Sequence, residues 1–114
     1  MPNVFIELRD AGSLNCFLAE ANGSPVVIFK HSNSCGVSGR AFAEMTKLDR
    51  AVGIVTVQQA RAVSDEIERR TGVGHETPQV LIIANGEVVW TGSHGQVKAA
   101  VVEAAVRELR GSKQ

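Results

Sequence analysis

The sequence lacks the features that would tie it to a charged polymer or a bilayer. Its 12 basic and 12 acidic residues balance, and neither sign forms a long run, which argues against a nucleic-acid or anionic-membrane footprint. No apolar stretch approaches the roughly 20 residues that a spanning helix needs. The opening Met-Pro-Asn-Val-Phe-Ile-Glu-Leu-Arg-Asp has neither the basic nor the continuous apolar region of a signal peptide, so a cytoplasmic protein is expected. Cysteine is scarce. Cys16 and Cys35 are too few for a disulfide framework and should be free thiols in a reducing compartment. No Cys/His cluster has zinc spacing, so no metal site is expected. Internal repeats and low-complexity linkers are also missing. What remains, 114 residues of which 44% are apolar, is the size of one compact domain, able to bury roughly two thirds of its unfolded surface. We read residues 1–114 as that domain, with 1–3 and 111–114 frayed.

Hydrophobic spacing divides the chain into short elements. Residues 4–8 read as a first strand, followed by the turn and cap residues Asp10 to Ser13 and by Leu14, Phe17, Leu18 and Ala21 on one helical stripe. Cys16 lies nearly opposite that stripe and faces outward; a resolving role for it is the minority reading. Asn22-Gly23 ends the helix. Residues 26–30 form a near-continuous apolar run, the mark of a central parallel strand covered on both faces. Val37, Ala41, Phe42, Met45 and Leu48 make a second helical face, residues 53–58 a third strand, and Ala60, Val63 and Ile67 a third helix that stops at Thr71-Gly72. Asn85-Gly86 between two β-rich runs signals a hairpin, so the fourth and fifth strands should be antiparallel neighbours. A last helix carries Val101, Ala105 and Leu109.

The chemistry concentrates after the second strand, in Lys30-His-Ser-Asn-Ser-Cys35-Gly-Val-Ser38. A helix amino terminus, with unpaired N–H groups and a positive dipole end, stabilises a thiolate, and the thiolate is the reactive form of cysteine. Cys35 is therefore the candidate nucleophile. Ser38 follows at Cys-x-x-Ser spacing, one turn later on the same face, where its hydroxyl could donate to the Cys35 sulfur. With serine in place of a second cysteine, the redox cycle must be of the one-thiol kind. His31 could favour the thiolate as an imidazolium, or could simply be bonded to backbone. Lys30 closes the strand, either solvated or attracting the carboxylates of a small thiol. His75 and His94 fall near the same end. Trp90 suits the half-buried face of an edge strand.

The order strand, helix, strand, helix, strand, helix, strand, strand, helix implies an α/β fold with a mixed sheet and helices on both faces. Here the chain resembles the thioredoxin fold, with Cys35 at the carboxyl end of the second strand and Pro78 at the position of that fold's cis-proline. Within it, the chain is similar to the monothiol bacilliredoxin family. The residues that carry the likeness are Phe29-Lys30-His31-Ser32, Cys35 with Ser38, His75-Glu76-Thr77-Pro78-Gln79-Val80, Asn85-Gly86-Glu87-Val88-Val89-Trp90 and Ser93-His94. The family typically has proline after its cysteine; this chain has Gly36, which loosens the turn and leaves an extra N–H near the sulfur.

The resemblance implies a thiol–disulfide oxidoreductase of monothiol type. Cys35, Ser38 and Pro78 would be its catalytic set, and Thr77, His31, Lys30 and Gly36 its substrate-binding residues. It would use bacillithiol as co-substrate, hold no tightly bound cofactor, and act on S-thiolated cytoplasmic proteins, with no nucleic acid or membrane as partner. The alternative is a module that holds an iron–sulfur cluster or a thiol without turnover. Cys-Gly-Val-Ser is close to the Cys-Gly-Phe-Ser of monothiol glutaredoxins, and Thr77-Pro78-Gln79-Val80 is similar to their proline segment. Those proteins, however, carry a Gly-Gly-x-Asp-like element where this chain has Trp90-Thr-Gly-Ser-His94.

Overall fold

The computed structural model describes residues 3–21, 24–33 and 36–111. Its elements follow the order read from the sequence: β1 (Val4–Glu7), α1 (Ala11–Glu20), β2 (Val26–His31), α2 (Gly36–Met45), β3 (Ala51–Thr56), α3 (Arg61–Thr71), β4 (Gln79–Ala84), β5 (Glu87–Ser93), a 3-10 turn (His94–Gln96) and α4 (Ala99–Gly111). The strands form one mixed sheet in the order β1-β3-β2-β4-β5. β2 is central, as its apolar run predicts, but it is parallel only to β3 and runs antiparallel to β4. The hairpin at Asn85-Gly86 is present, with φ of 54° and 80°, the left-handed pair that a tight hairpin turn requires.

Alternation along the strands sends side chains to two cores, one on each face of the sheet. Val27, Phe29, Val52, Ile54, Val80 and Ile82 pack with Met45, Leu48, Val102 and Val106 under α2 and α4. Ile28, Val55, Leu81 and Ile83 pack with Leu14, Phe17, Val63 and Ile67 under α1 and α3. Gly53 keeps the second core close. A Cβ there would lie 2.8 Å from the Phe17 ring and 2.9 Å from Leu8.

Local chemistry sets the helix ends. Asp10 accepts from the Ser13 N–H while the Ser13 hydroxyl serves the Asp10 N–H, a reciprocal cap that starts α1 at Ala11. Gly72, at φ 74°, ends α3. The sequence-based helix end at Asn22-Gly23 lies outside the described residues. Two differences appear at the chain ends. Asn3, read as frayed, is tied down by its Nδ2, which donates to the Met45 carbonyl at 2.8 Å. Gly111, also read as frayed, is the last residue of α4. The 3-10 turn after β5 was not foreseen. Gln96 and Ser93 cap it reciprocally.

Candidate functional site

The site forms where the carboxyl end of β2 meets the amino end of β4, through the register pair Lys30 and Gln79. β2 runs one residue further than its apolar pattern, so His31 is a strand residue paired with Thr56 and not part of the turn. Cys35 lies outside the described residues. The described chain resumes at Gly36, the next residue in the sequence, and Gly36 is the first residue of α2. Gly36 is exposed, and a Cβ placed on it would meet no atom within 4 Å.

Ser38 is fully buried. Its Oγ accepts the Ser32 N–H at 3.0 Å and lies 2.8 Å from His31 Nδ1. That arrangement constrains the hydroxyl's single proton. When Nδ1 presents its lone pair, Ser38 donates to it; when Nδ1 carries the ring proton, the imidazole donates and the Ser38 proton is released for another acceptor. The donation to sulfur expected of Ser38 is available only in the second tautomer.

The His31 ring packs between aromatic rings, 5.4 Å from Phe29 and 5.2 Å from Phe42 by centroid. Burial in that setting pushes its pKa below 6.5, with the hydrogen bond at Ser38 pulling the other way. Neutral imidazole is therefore the favoured form near neutral pH, which speaks against the imidazolium alternative for His31; the ring is bonded to the Ser38 side chain, where the other alternative expected backbone.

Lys30 reverses its expected setting. Far from being solvated at a strand end, it is fully buried on the α3 side. Its Nζ donates to the Ser64 carbonyl at 3.2 Å and lies 3.5 Å from His75 Nδ1, which also lies 2.9 Å from Ser64 Oγ. A charged ammonium has only donors, so His75 faces it with a lone pair and carries its ring proton on Nε2. Desolvation lowers the Lys30 pKa, and the charges of Glu68 and Asp65 oppose the shift. An ammonium enclosed in this way is not placed to draw carboxylates from solution.

The Thr77–Pro78 peptide is cis. Thr77 is half-buried, Pro78 is buried, and the Pro78 carbonyl accepts the His94 N–H at 3.0 Å, which joins the start of β4 to the 3-10 turn. His94 in turn faces Glu76, with Nδ1 3.5 Å from Oε1.

Two residues were missed by sequence reasoning. Gln58, in the loop between β3 and α3, grips the turn that follows β2: its Nε2 donates to Ser32 Oγ at 2.7 Å and its Oε1 accepts the Asn33 N–H at 3.2 Å. A glutamine at the end of an apolar strand carries no local signal for such a role. Gln79 is buried, with Nε2 donating to the Gly74 carbonyl at 3.0 Å and no hydrogen-bond partner for Oε1 among the described residues. Its place opposite Lys30 depends on strand register, which the chain does not spell out locally.

Residues 6–102 match the family described as monothiol bacilliredoxin BrxC. Among solved structures, the chain is similar to an oxidoreductase candidate with a thioredoxin fold at 32% identity and a TM-score of 0.82, over 90% of this chain and 93% of that one. It is also similar to the thioredoxin of Fasciola hepatica, at 16% identity and TM-score 0.72 over 90% and 96% of the two chains. Spinach chloroplast thioredoxin f matches at 17% identity and TM-score 0.69, over 93% of each chain. At such identities the two thioredoxins speak for the fold alone. Among the described residues no helix is long and apolar enough to cross a membrane.

Proposed function

The chain belongs to the monothiol bacilliredoxin family, a thioredoxin-fold group with a thiol redox role, and from that premise we propose that it removes bacillithiol from the mixed disulfides of cytoplasmic proteins through Cys35. The Cys35 thiolate attacks the sulfur of the cap. The bond between cap and protein cysteine breaks, and the protein leaves as a thiolate that takes up a proton. The cap is now disulfide-bonded to Cys35. A second small thiol, as thiolate, then attacks the cap sulfur, which yields a symmetric low-molecular-weight disulfide and returns Cys35 to its thiolate. The two electrons that reduce the protein substrate come from the two small thiols, and Cys35 ends as it began.

The observation that carries this reading is the start of α2 at Gly36, immediately after the single cysteine of the Cys-x-x-Ser pattern. Thiols at helix amino termini have lowered pKa values, and exchange is fastest when the attacking thiol titrates near ambient pH. Pro78 and Thr77, at the edge of the same strand end, are the surface on which the thiolated protein would lie. Gly36 lets that protein approach the turn without meeting a side chain. No tightly bound cofactor enters the cycle.

The test is to mix the purified protein with a bacillithiolated substrate and follow both by mass spectrometry. The cap should leave the substrate and appear on Cys35, and the adduct mass names the thiol. A cap that stays on the substrate while the protein shows an iron–sulfur absorbance band would replace this reading with the cluster-holding one.

A further inference from the structure

A recess of about 370 Å³ lies between the loop that precedes Pro78 and the end of β5, within the size range of small-ligand sites. Gln79 shares a face of β4 with Leu81, and its register partner Ser93 shares a face of β5 with Thr91, so these residues bring the recess to the α3 side of the sheet. The lining is polar. Glu76, His75 and Thr91 contribute exposed side chains, Val73 is its only apolar one, and Gln79, 2% exposed, is its buried wall.

Gln79 is the residue that sets this recess apart. Its Nε2 donates to the Gly74 carbonyl at 3.0 Å, which fixes the way the amide points, since the reversed amide would set one acceptor against another. Oε1 must therefore face elsewhere, and it is the one buried side-chain nitrogen or oxygen without a hydrogen bond among the described residues. Unpartnered groups at a surface are served by water and mark nothing. A buried acceptor is rarely left so, and one in the wall of a recess calls for a donor from outside the chain.

We propose that this recess binds a neutral polyol, a sugar or a similar molecule with adjacent hydroxyls, one of which donates to Gln79 Oε1. A hydroxyl both donates and accepts, and the lining asks for both. Glu76 accepts, and so does Thr91 Oγ1, whose own proton goes to the Val80 carbonyl at 3.1 Å. His75, with its ring proton on Nε2, donates. Charge selects against ions: an anion would meet Glu76 with no Lys or Arg among the described lining residues to balance it, and a cation would meet the Lys30 ammonium, the cross-strand partner of Gln79, 3.5 Å from His75 Nδ1. Oε1 is closed to bulk water, so the entering hydroxyl displaces exposed side chains of the loop and leaves the sheet in place. The site uses neither Cys35 nor the turn that carries it and goes beyond the thiol-exchange reading.

The experiment titrates the isotope-labelled full chain with methyl β-glucoside and follows its amide signals by NMR, with sodium acetate and methylammonium chloride as charged comparisons. The glucoside should give saturable shifts at the Gln79 side-chain amide and at the His75, Glu76 and Ser93 backbone amides, with a Kd on the order of a millimolar, since so little of the lining is apolar. Both salts should bind at least about fivefold more weakly, and Gln79→Met, which keeps the side-chain length and removes the acceptor, should abolish the shifts. If Gln79→Met does not fold, Glu76→Ala, at an exposed residue, decides: a Kd raised at least about threefold supports the site, and an unchanged one overturns it. The proposal is also overturned by the absence of saturable shifts up to about 100 mM glucoside, by equal shifts in folded Gln79→Met, or by tighter binding of either ion. So is a long-lived water seen at the Gln79 amide that the glucoside does not displace, because that water would then serve Oε1. No arm of the experiment uses thiol exchange, so failure here and failure of the exchange reading are read separately.

Discussion

The two sides of one sheet end treat cations in opposite ways. On the α3 side, Lys30 is sealed in, bonded to Ser64 and facing His75, away from solvent. On the α2 side, Arg40 and Lys98 stand exposed and unpaired at a groove. Sequence distance from Cys35 does not separate these cases, since Lys30 and Arg40 both lie five residues from it. Burial does. A cation enclosed by the protein has its donors satisfied by fixed acceptors and is a structural part, whereas one at a rim can exchange water for an incoming anion at little cost.

The proposed reaction runs through Cys35, and the largest effect tests that directly. Cys35→Ser should abolish cap transfer, because a serine hydroxyl is not a nucleophile toward sulfur at neutral pH. Cys16, exposed on α1, should be dispensable, so Cys16→Ser should keep most of the rate. Loss of activity in a folded Cys16→Ser protein would show that a second thiol takes part.

The next largest effect compares a serine from each side. Ser38→Ala removes the acceptor of the Ser32 N–H and the partner of His31 Nδ1, all within buried or half-buried structure. Leaving such groups unsatisfied costs about 1 to 3 kcal/mol. Ser64→Ala removes a hydroxyl bonded to an exposed loop histidine, whose nitrogen can turn to water instead, and should cost less than about 1 kcal/mol. Urea denaturation of the two variants orders them. A larger loss in Ser64→Ala would mean that the α3 side holds this end of the sheet together.

Much of this could be read from the chain, for identifiable reasons. The element order follows from apolar spacing and from turn residues such as Asn85-Gly86 and Gly72, which act locally. The resemblance at Phe29-Lys30-His31-Ser32 and His75-Glu76-Thr77-Pro78 pointed to segments that the sheet brings together, through the pairing of Lys30 with Gln79 and the contact between Lys30 and His75. The setting of individual polar residues was not legible. Whether Lys30 points to solvent depends on α3 lying over it, and whether Gln58 grips Ser32 and Asn33 depends on the meeting of two loops, with Asn33 and Gln58 25 residues apart in the chain. Long-range packing decides these, and no short window of sequence contains both partners.

A smaller effect sharpens the comparison of cations. Lys30→Met should leave cap transfer at Cys35 within about twofold of the parent, because a buried ammonium contributes little at the surface once water screens it. The variant should also differ in its response to alkali. With its folded pKa depressed below 10.5, Lys30 binds a proton more readily in the unfolded chain, so the parent gains stability as pH rises from the folded value to 10.5. Lys30→Met lacks that gain. Unfolding midpoints measured for both proteins from pH 8 to 10.5 should converge in favour of the parent as pH rises. A folded variant that loses cap transfer would return to Lys30 a role in binding the small thiol.

The smallest effect concerns His31, an ionisable residue on the α2 side. Its folded pKa lies below 6.5 because the ring is buried between Phe29 and Phe42. As pH falls from 6.5 to that lower value, the unfolded chain takes up a proton that the folded chain refuses. Stability therefore declines across that window, is level below the folded pKa, and owes nothing to this group above 6.5. His31→Gln keeps a polar side chain near Ser38 and removes the titration, so its unfolding midpoint should drop less than the parent's between pH 7.5 and 5.5. An equal drop would place the acid sensitivity on another group. A smaller drop in the parent would mean that the Ser38 hydrogen bond outweighs burial and that the imidazolium is the favoured form. In that case His31 would add a positive charge to the α2 side, and the Ser38 hydroxyl, no longer needed as a donor to Nδ1, would be free to donate to another acceptor.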